Sequence, residues 1–204
     1  MTNIENEIRN HYFKNHKANY NNFNEEIFIL DWEDPISKEY NIRYVMDGKF
    51  LYVTGGLNAA TYRFDWRNLK LSSFLTIEID YFYKNLISYQ ENNIVFNPQK
   101  AQNKIEEKIL EEKEFPKETN KKLVELLEKI YELTKECVSY KEWRTLLISN
   151  NILDNLIEFI PDFYVTDVYE WVFTVGDDIP NNIKAHLIGL KMAAEQLDIE
   201  LVKK

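Results

Sequence analysis

The sequence predicts an α+β fold: an N-terminal helix, a four-stranded antiparallel meander, and a mostly helical C-terminal half packed on the sheet. Three observations carry this. Between residues 27 and 66 apolar side chains recur at every second position, the period of a half-buried strand. An Asp47-Gly48 dipeptide divides two of those runs, the composition of a tight hairpin. Beyond residue 70 the apolar spacing lengthens to three and four, which gives helices one buried stripe. No repeat or low-complexity linker interrupts the chain, so the expectation is one α+β domain over 1–204, sheet-rich at 25–67 and helical at 70–204.

Each element has its own signal. Ile4, Ile8 and Tyr12, with Phe13 beside them, predict a helix over 3–18, followed by an Asn-rich connector at 19–24. Phe28, Leu30 and Trp32 share one strand face that stops before Asp34-Pro35. Ile42, Tyr44 and Met46 form the next strand, and 50–53 continues beyond Asp47-Gly48, where a two-residue turn wants positive φ. Tyr62, Phe64 and Trp66 then alternate with Thr61, Arg63 and Asp65. Residues 74–89 read as helical. Asn97-Pro98 opens a helix to about Glu114, because Asn caps and Pro suits the first helical position. Leu123, Leu127, Ile130 and Cys137 support a helix over 119–139, and 140–160 holds two short ones. Residues 163–175 alternate ambiguously between strand and helix, with helix preferred. Ile183, Leu187, Leu190, Ala194 and Leu197 form the stripe of a last helix over 181–199.

Composition excludes several function classes. The 204 residues carry 25 basic and 34 acidic side chains, a net charge of −9 that argues against a general nucleic-acid binder. With 14% aromatic and 45% hydrophobic residues the chain is not disordered, yet no apolar run approaches the roughly 20 residues that span a bilayer. The first residues lack an apolar signal-peptide core, which predicts a cytoplasmic location. One cysteine and three scattered histidines offer neither a disulfide framework nor an ordinary zinc site. The acidity is local. Residues 151–180 hold seven Asp or Glu and no Lys or Arg, whereas the 11 Glu and 10 Lys of 99–142 nearly cancel.

The candidate chemistry is sparse. Asp31 and Glu33 lie on one strand face, a pairing that can hold a divalent ion and that also suits an ordinary solvated sheet. Gly55-Gly56-Leu57-Asn58 is a Gly-rich loop, but a strand follows it, so no helix N-terminus faces a phosphate. Its glycines read first as a turn needing positive φ; the alternative is a ligand site of Gly55, Gly56 and Asn58 with Arg63 as the anion contact. Cys137 and His186 sit on apolar stripes and read as core residues. No cofactor motif or catalytic elbow is present. The remaining feature is the acidic stretch, where Asp162, Asp167, Glu170, Trp171, Asp177 and Asp178 interleave charge with aromatics. It reads either as a core element with solvated acids or as a partner-binding face, since aromatic anchors ringed by charge suit an interface.

The motif running from Tyr52 through Gly55-Gly56-Leu57-Asn58-Ala59-Ala60-Thr61-Tyr62 resembles a pattern of uncharacterised phage and prophage proteins. There it reads approximately Gly-Asp-x-Gly-x-Ala-x-Phe/Tyr, followed by a Trp and a Tyr-Phe pair. Tyr81-Phe82 is similar to that pair, and Leu187-Ile188-Gly189-Leu190-Lys191 with Ala193 to a C-terminal signature. Gly56 stands where Asp is usual and Asn58 where Gly is usual; both tolerate positive φ, so the turn can survive while any role of the Asp carboxylate is lost. The resemblance implies a phage-associated origin and no particular activity. Together with the acidic aromatic stretch and the missing catalytic motifs, it points to a non-enzymatic inhibitor of a bacterial defence protein, anti-CRISPR-like, needing no cofactor. Its partner would be a host protein with a basic surface, with no direct nucleic-acid or membrane contact. The alternative is a ligand- or nucleotide-sequestering protein, or a metal-dependent enzyme, using the loop at 55–63.

Overall fold

A computed structural model describes residues 3–24, 26–65, 69–114, 118–152, 154–155 and 165–202. The chain forms two compact units, residues 1–93 with 179–204, and residues 94–178. The first is built on a six-stranded antiparallel sheet in sequential order: β1 (Lys17–Asn22), β2 (Ile27–Glu33), β3 (Ile42–Asp47), β4 (Phe50–Gly55), β5 (Ala60–Arg63) and β6 (Leu86–Tyr89). Helix α1 (Asn3–Glu7) runs into a π-helical turn, Ile8–Tyr12. A 3-10 turn (Leu71–Thr76) and α2 (Ile79–Lys84) come before β6.

The meander is present with two strands more than the sequence predicts. The first replaces the end of the expected N-terminal helix and the Asn-rich connector. After Phe13 the chain turns, with His16 N–H donating to the Phe13 carbonyl at 3.1 Å. Strand β1 then alternates, Ala18 and Tyr20 packing toward the core while Lys17, Asn19 and Asn21 face solvent. Asparagine hid that period because its strand propensity is low. The second ends the expected helix over 74–89. Asn85 stops α2 by donating its backbone N–H to the Phe82 carbonyl and its side-chain amide to the Tyr81 carbonyl at 2.7 Å. Strand β6 follows and pairs with β5 through an irregularity at Thr61/Tyr62.

The inward faces are those the alternation predicts. Phe28, Leu30, Trp32, Ile42, Tyr44, Met46, Leu51, Val53, Tyr62 and Phe64 are all buried. Helix α7 (Asn181–Val202) closes the same core with Ile183, Leu187, Leu190 and Ala194. The hairpin differs by one residue from its sequence reading. Asp47 pairs with Phe50, so Gly48 and Lys49 are the loop residues and only Gly48 has positive φ, at 57°. A two-residue turn with glycine first needs positive φ at that position alone.

The second unit holds α3 (Pro98–Glu114), α4 (Glu118–Lys135), α5 (Tyr140–Ser149) and α6 (Val165–Thr174). A two-stranded ladder of β7 (Val95–Phe96) and β8 (Asp177–Asp178) completes it. Its core is separate from that of the sheet and includes Ile105, Leu127, Ile130, Trp143 and Val172. Asn97 caps α3 as predicted, its Oδ1 accepting from Lys100 N–H at 3.1 Å. Helix α4 ends at Lys135, short of the expected 139, because Ser139 starts the next helix. The Ser139 hydroxyl accepts from Glu142 N–H while the Glu142 carboxylate accepts from Val138 N–H at 3.0 Å. Trp143 stacks on Phe96 with ring centres 5.0 Å apart and donates its indole N–H to the Val172 carbonyl. The second short helix expected before residue 160 falls largely outside the described residues. Among the described residues no helix is long and apolar enough to cross a membrane.

Candidate functional site

The Gly-rich loop is fixed from beneath. Gly55 has φ +131°, and a Cβ there would lie 2.2 Å from the Asn41 carbonyl oxygen, so only glycine fits. Gly56 donates its N–H to the Asn41 carbonyl at 2.8 Å and shares it with the Asn41 side chain. Asn58 takes φ 67° and donates its amide to the Tyr89 hydroxyl at 3.2 Å. The Leu57 carbonyl accepts from His186 Nε2 at 2.8 Å. Because a carbonyl can only accept, the histidine proton is on Nε2 and Nδ1 accepts from the Tyr62 hydroxyl at 2.9 Å. Tyr44 completes the group by donating to the His186 backbone carbonyl at 2.8 Å.

Both His186 nitrogens are thus engaged in a fully buried position, and burial lowers its pKa to about 4. Burial pushes the Tyr44 and Tyr62 hydroxyls up. Such a neutral, satisfied histidine holds the loop to α7. Arg63 is exposed on the outer sheet face. A shallow depression of about 210 Å³ lies on the sheet, lined by Tyr52, Thr54, Thr61, Ser88 and Gln90 among others. Gly55, Gly56, Asn58 and Arg63 do not line it.

Asp31 faces Arg43 at 3.5 Å, and Glu33 faces Lys38 at 2.5 Å. Cys137 is buried, and burial raises its thiol pKa. In the acidic stretch, Asp162 lies outside the described residues and Asp167 falls within α6. Glu170 is exposed on α6, whereas Trp171 is half-buried against the second unit's core. Asp177 and Asp178 form β8 at the start of α3. The Asp178 carboxylate accepts from the Asn97 amide at 3.0 Å and lies 3.5 Å from the Lys100 ammonium. Burial raises the Asp177 carboxyl, against the pull of Lys104 and Lys100.

Sequence reasoning missed the connection between β2 and β3. Asp34 Oδ1 accepts from Ile36 N–H at 2.8 Å and from Ser37 N–H at 3.2 Å, which lowers the Asp34 carboxyl pKa. The Asp34 carbonyl accepts from Lys38 N–H. Lys38 and Tyr40 both take positive φ, 58° and 53°, although neither is glycine. Tyr40 stacks on Tyr12 with ring centres 4.5 Å apart, and its carbonyl lies 3.2 Å from His16 Nε2. At the tip Ile36 is 94% exposed. The available signal was Asp34-Pro35-Ile36-Ser37, an Asx-turn composition enclosing one aliphatic residue outside the strand pattern. Comparison with protein-family models, curated proteins and solved structures finds no match to this chain.

Proposed function

We propose that the chain is a non-enzymatic, phage-associated protein that binds and inhibits a bacterial defence protein. The observation that carries the reading is the charge distribution: seven acids and no base within residues 151–180, with Glu170 exposed on α6. An acidic patch steers association toward a basic surface such as that of a nucleic-acid-handling enzyme. The resemblance around Gly55 and Gly56 supplies the phage context. An affinity pull-down from bacterial lysate tests the reading. The triple variant Asp162→Lys, Asp167→Lys, Glu170→Lys is expected to lose about tenfold or more of the captured partner. Capture equal to wild type, with unchanged salt dependence, contradicts it.

A second reading is favoured by the depression on the sheet beside the 55–63 loop, with its hydroxyl and amide lining. Here the protein sequesters a small ligand, or acts on one with a metal, through the Tyr52, Thr54, Thr61, Ser88 and Gln90 side chains, with Arg63 outside the lining. A nucleotide or metal that raises the melting temperature of the purified chain, with the rise lost in Thr61→Val, supports this alternative. No shift across a nucleotide and divalent-metal panel removes it.

A further inference from the structure

We infer that the open face of the six-stranded sheet is a self-association surface, on which a second copy of this chain stacks about a two-fold axis running across the strands through Val45. This surface is distinct from the acidic stretch, and a monomeric chain would leave the host-protein reading standing.

An antiparallel sheet with one face on a core and the other in water alternates apolar and polar residues along its strands. Strands β1, β5 and β6 do so, with Lys17, Asn19, Asn21, Thr61, Arg63 and Ser88 facing outward. Strands β2, β3 and β4 do not. Ile27-Phe28-Ile29-Leu30, Tyr44-Val45-Met46 and Phe50-Leu51-Tyr52-Val53 are unbroken apolar runs, the pattern of strands covered on both faces. Among the described residues the core covers one face alone. Phe28, Leu30, Tyr44, Met46, Leu51 and Val53 are buried in it, whereas Ile27, Ile29, Val45 and Phe50 stay half-buried and Tyr52 is 41% exposed. Strand register joins Ile29, Val45, Tyr52, Thr61 and Ser88 into one row across that open face.

The occupant follows from charge. Along the strands the outward charges are Lys17, Arg43 and Arg63 against Asp31, Glu33 and Asp47, three of each sign and a sum of zero in a chain of −9. A neutral face of this kind attracts neither a basic protein nor a nucleic acid nor an anionic membrane. Its signs match themselves instead. On β3, Arg43 and Asp47 stand exposed on either side of Val45. A two-fold axis along the row exchanges those sides, so Arg43 of each copy meets Asp47 of the other. Arg43 lies 3.5 Å from Asp31 but keeps 56% of its side chain exposed, which leaves guanidinium donors for this second contact. The same rotation lays Ile29, Val45 and Tyr52 on their own copies. Thr61 and Ser88, farther along, carry hydroxyls that both donate and accept, so they too can face themselves. An axis along β3 instead would set Arg43 against Arg43 and Asp47 against Asp47.

Sedimentation velocity of the full chain over about 1 to 100 μM tests this. A dimer is expected, and Val45→Lys, which sets an ammonium against its own copy, should raise the dissociation constant at least about tenfold. A chain monomeric throughout overturns the inference, whatever the face then binds, and so does a dimer that Val45→Lys leaves intact. Arg43→Asp and Asp47→Arg test the axis, since each sets like charges together and should weaken the dimer about tenfold or more. Mixed in equal amounts, these two variants regain both opposite-charge pairs, and a heterodimer of near wild-type affinity is expected. Single variants that dimerise as well as wild type, or a mixture no tighter than either alone, overturn this arrangement. All three positions face outward, and circular dichroism checks each fold; Tyr52→Lys replaces Val45→Lys if that variant loses it.

Discussion

At the scale of single residues, Gly189 marks a close approach of α7 to the sheet. A Cβ there would lie 2.5 Å from the Tyr44 hydroxyl and 3.2 Å from the Trp32 ring. In an exposed helix, replacing glycine by alanine stabilises by about 1 kcal/mol. Here the Tyr44 hydroxyl is buried and bound to the His186 carbonyl, so it cannot simply turn away. Gly189→Ala is therefore expected to destabilise by about 1–3 kcal/mol in chemical denaturation. Adding Tyr44→Phe should recover part of that loss; additive losses in the double variant would show that the clash lies elsewhere. The sequence placed Gly189 in a helix and His186 in the core, because a stripe of apolar residues surrounds both. It could not show that Tyr44, more than a hundred positions away, ends on the same helix turn.

At the scale of elements, the edge strand β1 shows what tertiary contacts add. A sheet edge exposes unpaired backbone groups that invite another chain. On β1 the Ala18 N–H donates to Gln196 Oε1 at 2.8 Å, so a side chain of α7 stands where a seventh strand would offer a carbonyl. Gln196→Ala should speed hydrogen exchange at the Ala18 amide and cost about 1 kcal/mol; unchanged protection would show that the amide is held by something else. Arg9 adds a second tie, its guanidinium meeting the Glu195 carboxylate through two bonds of 2.9 and 3.1 Å. The strands from β2 to β5 were legible because Phe, Leu, Ile, Tyr and Trp alternate with polar residues along them. Strand β1 was not, since three of its six residues are Asn and its inward side chains are only Ala18 and Tyr20. Strand β6 was hidden for a different reason: the apolar residues of α2 run into it without a break, and only Asn85 divides them.

At the scale of the whole molecule, acid should act unequally on the two units. His11, His16 and His186, the three histidines, all belong to the first. Burial lowers the pKa of His16, and that of His186 falls from 6.5 to about 4. Below pH 6.5 the unfolded chain takes up these protons before the folded one does. The stabilisation is therefore complete above about pH 6.5 and is lost as pH falls through about 4, with His186 alone worth about 3 kcal/mol. In the second unit Asp177 has a raised carboxyl, which gives the opposite sign: acidification relieves its burial. Thermal melts at pH 7 and pH 4.5, read by exchange at amides of β3 and of α4, should show the first unit losing more stability. An equal or larger loss in α4 would contradict this.

Charge at the same scale leads back to function. A net charge of −9 describes no single surface, since residues 151–180 carry −7 and the Lys/Glu-rich helices before them almost cancel. The sequence located that stretch but not its fate. Trp171 packs half-buried against the core because its helix needs an apolar face, while Glu170 stays in solvent, and no local pattern distinguishes an anchor from a core aromatic. The same limit concealed the Ile36 loop, whose shape depends on Tyr12, His16 and Asn41 from other elements. The central claim, that this protein binds a basic host protein, is tested most directly by affinity capture from bacterial lysate with the wild-type chain at about 50 and 500 mM salt. One specific protein partner is expected, with a yield that falls steeply at the higher salt. Failure to retain any specific protein, or retention that salt leaves unchanged, would contradict it.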